Sequence, residues 1–317
     1  MSSRQPMGGR MRFHVILAFA VTLFVAGSAG AHNEWGTFNP EFNDEAGPLL
    51  TEVTDLANST SDEDKRYFFS RALLWRPGQI LKACFIGGTQ AERNSIFNSA
   101  ARLLNGARIN VSIDFQSTNP FPDCKKNAQG LYTEEIRIAV GSGVKCCSAR
   151  IGRNGMKKRN LGEANIFLGG APQGWQVWHE LIHALGFFHE HQKPDATCRF
   201  NYAEIKRLWG WDEATVKANF DRLNNDERDL RFSSGFDRKS IMDYYQSSPT
   251  MLVDGAQSPC YNPAPAQTLT GVDYEGLRLA YPMSAAPDAH RQRVARVRAV
   301  VDLSGVSPEL RELLDME

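Results

Sequence analysis

The sequence predicts an α+β fold, on three observations. Short apolar runs between turn residues recur from Ile80 to Leu168 and read as strands. Two long helical patterns, 90–104 and 175–186, interrupt and follow them. Beyond residue 202 the chain holds one helical stretch broken at Gly210, and then turn-rich sequence. At 317 residues, 42% hydrophobic and 23% charged, it suits one main domain with appendages better than two large domains.

In chain order, Arg4, Arg10 and Arg12 precede the apolar run from Phe13 and then Ala29-Gly30-Ala31. Basic, apolar, small-residue order is that of a secretory signal peptide, 1–31, cut after Ala31. Roughly fifteen apolar residues fall short of the ~20 that span a bilayer, so no stable membrane insertion is expected after cleavage. Residues 32–66 are polar and acidic and end in Lys65-Arg66. They read as a pro-segment removed at that dibasic pair, or as a flexible arm. Ile80–Ile86 reads as a strand ending at Gly87-Gly88. Thr89-Gln90-Ala91-Glu92 forms a capping box that starts a helix with Ile96, Phe97, Ala100, Leu103 and Leu104 at helical spacing, expected to stop at Asn105-Gly106. Further strands are expected at Asn110–Phe115, Glu135–Val140, Cys147–Gly152 and Asn165–Leu168. Tyr202, Ile205, Leu208 and Trp209 share a helix face within 202–223. Residues 284–317 read as a tail of one or two surface helices.

Thirty-six basic residues balance thirty-six acidic ones, so no net field draws the molecule to nucleic acid. The six cysteines, Cys84, Cys124, Cys146, Cys147, Cys198 and Cys260, point to disulfides in an exported chain. Six cysteines allow 15 connectivities, and the adjacent pair is not assignable from sequence.

Four of the seven histidines fall within thirteen positions, in HELIHALGFFHEH from His179 to His191. On a helix, Trp178, Leu181, Ile182 and Leu185 form an apolar stripe, while His179 and His183 stand one turn apart on another face, about 5–6 Å between Cβ atoms. Gly186 ends the helix and lets the chain bring back His189 as a third ligand. Three neutral imidazoles leave a fourth position on a zinc ion open to water, the arrangement of a catalytic site. Glu180, beside His179, is placed to take a proton from that water. A bare HExxH arises easily by chance, whereas the full HExxHxxGxxH is expected by accident on the order of 10⁻⁵ times per chain. His191 matches no required ligand and is expected at the surface.

HELIHALGFFHEH resembles the long zinc motif of metzincin peptidases, and Glu190 directly after the third histidine resembles the astacin family. Ser240-Ile241-Met242-Asp243-Tyr244-Tyr245 is similar to that family's Met-turn. The resemblance runs over most of residues 70–282, including Trp75-Arg76-Pro77-Gly78 and Gly271-Val272-Asp273-Tyr274 to Tyr281. It implies a metzincin-like, two-lobed domain over 67–283: a mixed twisted sheet with two long helices in the N-terminal lobe, an irregular, helix-containing C-terminal lobe, and zinc at the floor of the cleft between them. It further implies that Met242 lies beneath the ligands, that Tyr244 coordinates zinc at rest and then stabilises the transition state, and that Glu190 meets the new N-terminus of a processed chain. A pro-segment acid, Asp44 or Glu45, would hold the open zinc position before cleavage. Two departures bear on substrate preference: His191-Gln192-Lys193-Pro194-Asp195 replaces the family's usual continuation, and Asp243 stands where a histidine is often found.

The expected protein is a secreted zinc endopeptidase acting on protein or peptide substrates through one catalytic Zn²⁺, periplasmic if its source is Gram-negative. His179, His183 and His189 are the metal ligands, Glu180 is the general base and Tyr244 the electrophilic helper. A zinc-stabilised binding or adhesion protein, and a hydrolase of a non-peptide amide, are the alternatives.

Overall fold

Strand-forming sequence and one long capped helix build the half of the molecule that carries the histidine motif. The structure, a computed structural model, describes residues 68–283 apart from 71–72, 117–119, 158–159, 224–229 and 233–234. The expected signal peptide 1–31, pro-segment 32–66 with Lys65 and Arg66, and tail 284–317 lie outside the described residues.

Strand β1 (Phe68–Ser70) stands apart from the main sheet, whose first member is β2 (Ile80–Ile86). Helix α1 (Gln90–Ala107) starts at Thr89 through the expected box, since the Thr89 side chain accepts from the Glu92 N–H while the Glu92 carboxylate accepts from the Thr89 N–H at 2.7 Å. It runs past the expected stop at Asn105-Gly106 and ends at Arg108, whose φ of 52° is left-handed. The glycine is there for closeness: a Cβ at Gly106 would come within 3.2 Å of the Tyr274 hydroxyl.

Then follow β3 (Ser112–Asp114), β4 (Ile136–Gly141), β5 (Ser148–Ala149) and β6 (Ile166–Gly169). The sheet order is β3-β2-β4-β6-β5, parallel except for the edge strand β5, which runs antiparallel to β6 with Ser148 opposite Phe167. This is the mixed sheet expected. The strand predicted over Cys147–Gly152 is shorter: two residues pair, and Gly152–Met156 turns into a 3₁₀ helix. Strand β4 is central and buried on both faces, and its one charged residue, Arg137, donates its guanidinium to the carbonyls of Glu134, Gly155 and Glu163.

Helix α2 (Gly174–Ala184) carries the first two histidines and packs on α1, where the Trp178 indole donates to the Ser99 carbonyl at 2.7 Å. After it come α3 (Tyr202–Trp209), ended by left-handed Gly210 as the sequence indicates, α4 (Glu213–Phe220), β7 (Leu230–Phe232) paired with β1, and α5 (Gly271–Ala280). The apolar interior is divided along the same line. The sheet, α1 and α2 share one large cluster, while Ile205, Trp211, Val216, Phe220, Tyr244 and Met251 form a second in the C-terminal half.

Three disulfides resolve the cysteine connectivity. Cys84–Cys124 ties β2 to the segment running beside it, Cys198–Cys260 closes the C-terminal half, and Cys146 bonds its neighbour Cys147 just before β5. No helix among the described residues is long and apolar enough to cross a membrane.

Candidate metal centre

The apolar stripe of α2 sets the orientation of its histidines. Val177, Leu181, Ile182 and Leu185 are at most 1% exposed, and each such burial contributes about 1.5–3 kcal/mol. Trp178, expected in that stripe, is half-buried. The helix then stops as the glycine predicts. Gly186, at φ 103°, donates its N–H to the His183 carbonyl at 2.8 Å, and Phe187 donates to Ile182 at 3.3 Å, the paired bonds of a Schellman turn. The tryptophan of the Trp75 stretch and the final Tyr281 cap the same end: Trp75 Nε1 donates to the Ala184 carbonyl at 2.7 Å and Tyr281 Oη to the Leu185 carbonyl at 2.5 Å.

This turn brings His189 against His179 and His183, and all three are at most 4% exposed. Each ring has its Nδ1 on an oxygen: His179 on the Ile241 carbonyl at 2.6 Å, His183 on the Phe187 carbonyl at 2.8 Å, and His189 on Gln192 Oε1 at 3.2 Å. An oxygen acceptor at Nδ1 requires the proton there, which leaves each Nε2 as a lone pair. Those lone pairs converge, with His183 Nε2 3.1 Å from His179 Nε2 and 3.0 Å from His189 Nε2. Lone pairs so placed repel unless a cation lies between them. Tetrahedral zinc, with Zn–N of about 2.0–2.1 Å, would hold its nitrogens about 3.3 Å apart, so the donor set and spacing fit that ion. Among the described residues these three form the one cluster able to hold a metal. Burial pushes His179 down to about 4 and His183 lower than its ordinary value, keeping both neutral and ready to bind.

Glu180 is 1% exposed, and its Oε2 has no hydrogen-bond partner. Burial raises its carboxyl well above the usual range. Tyr244, 4% exposed, lies with its ring centroid 4.0 Å from that of His189 and donates its hydroxyl to Asn219 Oδ1 at 3.3 Å. Met242 is buried in the large cluster, and its carbonyl accepts the Glu190 N–H at 2.9 Å. The Glu190 carboxylate meets Lys193 Nζ at 3.0 Å and the Asp237 N–H at 3.1 Å. Burial lifts it to about 7, with Lys193 pulling the other way.

The surface position expected for His191 is wrong. It is fully buried, stacked on His189 at 5.2 Å, with Nε2 2.8 Å from the Asn219 carbonyl and Nδ1 3.4 Å from Asp243. The reason is the 3₁₀ turn Glu190–Gln192, which folds the segment beneath α4, where no helical period remains to tell inside from outside.

Sequence reading also missed three supports. Gln192 Nε2 donates to the Ala218 carbonyl at 2.9 Å, which turns Oε1 toward His189. Asn219 joins Tyr244 to His191. Asp273, from the capping box of α5, accepts the Ser240 hydroxyl at 2.5 Å and the Ile241 N–H at 3.1 Å, and so holds the turn on which His179 rests. The Thr270-to-Asp273 spacing was a visible capping signal; the reach of Gln192 and Asn219 left none.

Comparison with known proteins agrees with this geometry. Residues 109–254 match the family model for Astacin, a peptidase family. Zinc metalloproteinase nas-6 of Caenorhabditis elegans is 32% identical over 115 residues, 35% of this chain and 28% of that protein. Zinc metalloproteinase nas-12 of the same organism is 39% identical over 70 residues, 22% of this chain and 16% of its own length. This chain therefore spans well under a third of the curated relatives it matches. Among solved structures, that of myroilysin superposes with a TM-score of 0.54 at 19% identity, covering 68% of this chain and 99% of that one, a likeness of fold.

Proposed function

This chain carries an astacin-family domain, and from that premise we propose that the protein is a secreted, zinc-dependent endopeptidase. The observation that carries the reading is the convergence of three buried imidazole lone pairs, with a buried carboxyl whose Oε2 has no partner on the residue that follows His179. A structural zinc site fills four positions with protein ligands, whereas three histidines leave one for chemistry.

His179, His183 and His189 hold the ion, each steadied by the oxygen at its Nδ1. When bound, zinc supplies Lewis acidity, which brings the pKa of a water ligand to about 7 and polarises a carbonyl. Glu180 takes the proton from the attacking water and delivers it to the departing amine. Tyr244 offers its hydroxyl to the oxygen that becomes negative in the transition state. Substrate lies extended along the outer edge of β5, the outermost strand of the sheet.

Residues 1–31 are proposed as the signal peptide, 32–66 as the pro-segment, 67–283 as the catalytic domain and 284–317 as a tail. N-terminal sequencing of the secreted product reads both proposed cleavages.

Glu180→Ala tests the central claim. The variant should fold and bind zinc, yet lose at least about 10²–10⁴ of the peptidase rate, because only the proton carrier is gone. The assay is digestion of a mixed protein substrate with and without chelator. Activity within tenfold of wild type would remove Glu180 from its role, and a wild type inactive in the presence of zinc would favour a binding or adhesion protein on this fold.

A further inference from the structure

Asn219 stands in the last turn of α4, 3% exposed. Three hydrogen bonds converge on it. Its Nδ2 donates to the Thr215 carbonyl at 2.8 Å, its Oδ1 accepts the Tyr244 hydroxyl at 3.3 Å, and its backbone carbonyl accepts His191 Nε2 at 2.8 Å. The two ends of the amide are not interchangeable here. The end facing the Thr215 carbonyl has to be the NH₂, so the end facing Tyr244 is the oxygen. A phenol facing a carbonyl oxygen can only donate. The Tyr244 proton is therefore turned toward Asn219, and the lone pairs of the phenol oxygen point elsewhere.

Asn219 itself is held firmly. His191 grips its carbonyl, and Gln192 grips the adjacent Ala218 carbonyl, so the end of α4 is fastened to the segment that follows the third histidine. The Tyr244 ring that it steadies lies 4.0 Å from His189 and 6.4 Å from His179, centroid to centroid. One amide thus fixes the direction of the hydroxyl on a ring that packs against His189, through a bond long enough to be exchanged.

We propose that Asn219 is a positioning residue for the peptidase reaction: it holds the Tyr244 hydroxyl beside the metal ligands with its proton turned away, and gives that proton up when a negatively charged oxygen offers a stronger acceptor. The proposal rests on the reading of Tyr244 as the assisting hydroxyl. Its specific consequence is dependence. Whatever Asn219 contributes to the reaction, it contributes through the phenol, and that contribution vanishes when the hydroxyl is absent.

The test is a double-mutant cycle over wild type, Asn219→Leu, Tyr244→Phe and the double variant, read in two ways. With zinc bound, Asn219→Leu should lower kcat about fivefold, the factor one ordinary hydrogen bond is worth, with KM within about twofold. In the Tyr244→Phe background it should lower kcat no further. In metal-free protein, thermal unfolding should show Asn219→Leu lowering Tm by about 3 °C, and by clearly less once the hydroxyl is gone. Asn219→Ser serves as a second variant, and carries the test alone if the leucine protein does not fold. Its hydroxyl can still bond the Thr215 carbonyl but is too short for Tyr244, so it should reproduce the kcat loss with a smaller fall in Tm. Equal kcat losses in both backgrounds, a change confined to KM, or full kcat in Asn219→Ser would overturn the proposal. If Tyr244→Phe alone keeps wild-type kcat, the reading of Tyr244 fails and Asn219 falls with it. A slow Tyr244→Phe beside a fully active Asn219→Leu overturns the role of Asn219 only.

Discussion

His191 and Asp243 show what burial does to two ionisable groups. Burial holds His191 down to about 4 and raises Asp243 well above its ordinary range. The imidazole gives its Nε2 proton to the Asn219 carbonyl and turns its Nδ1 toward the Asp243 carboxyl 3.4 Å away. In the unfolded chain the same histidine titrates at about 6.5. Its depressed value in the fold means that its contribution is fully present above about 6.5 and is lost as pH falls toward 4, because the unfolded state takes up the proton first. Metal-free His191→Leu should therefore lose stability less steeply than wild type between pH 7 and pH 4.5, a difference on the order of 3 kcal/mol at most. Thermal melts of both proteins at the two pH values measure it, and parallel curves would sink the argument. None of this was legible from position 191. The triad was readable because its spacing is local, one helical turn and one glycine. The burial of His191 and the reach of Gln192 and Asn219 depend on where α4 lands, which no period in the sequence encodes.

Elements were legible wherever both ends carried chemistry of their own. The Thr89 box fixed the start of α1, Gly210 split α3 from α4, and Gly186 closed α2. Ends set by tertiary contact were misjudged. The Asn105-Gly106 pair looked like a stop until Tyr274 claimed the space beside it, and β5 looked longer because Gly152 turns the chain only after pairing has ended. Among the described residues, no strand pairs with the outer side of the short β5. In its ladder the Arg150 N–H points inward, donating to the Asn165 carbonyl at 2.8 Å. Alternation along a strand then turns the Ala149 N–H outward. A peptide inhibitor should add a strand on that side and take the Ala149 N–H as a main-chain donor. A structure of the complex decides it, since main-chain bonds made to any other segment instead would refute the placement of substrate.

Across the whole molecule, the metal site sits where the two apolar clusters meet. Helix α2 belongs to the sheet half, Tyr244 to the C-terminal cluster, and the turn at Ile241 and Met242 reaches His179 and Glu190. A ligand bound only by the folded state stabilises it by about 4 kcal/mol when present at a thousand times its dissociation constant, so chelation should lower Tm by roughly 10 °C. The remaining metal-free protein carries an electrostatic strain of its own in Glu180. Its carboxyl is buried with one oxygen unpartnered, and its pKa is raised in the fold. An acid raised in this way costs nothing at low pH, where both states are protonated. The cost grows as pH climbs past about 4.5, because the unfolded chain ionises freely and the folded one does not. Glu180→Gln keeps the shape and removes the ionisation. Metal-free Glu180→Gln should thus melt several degrees above wild type at pH 7.5, and the gap should close as pH is lowered to 4.5. Chelated samples of both proteins, melted across that range, test it. A glutamine variant no more stable at pH 7.5, or one whose advantage is independent of pH, would mean that Glu180 is not held against its own ionisation.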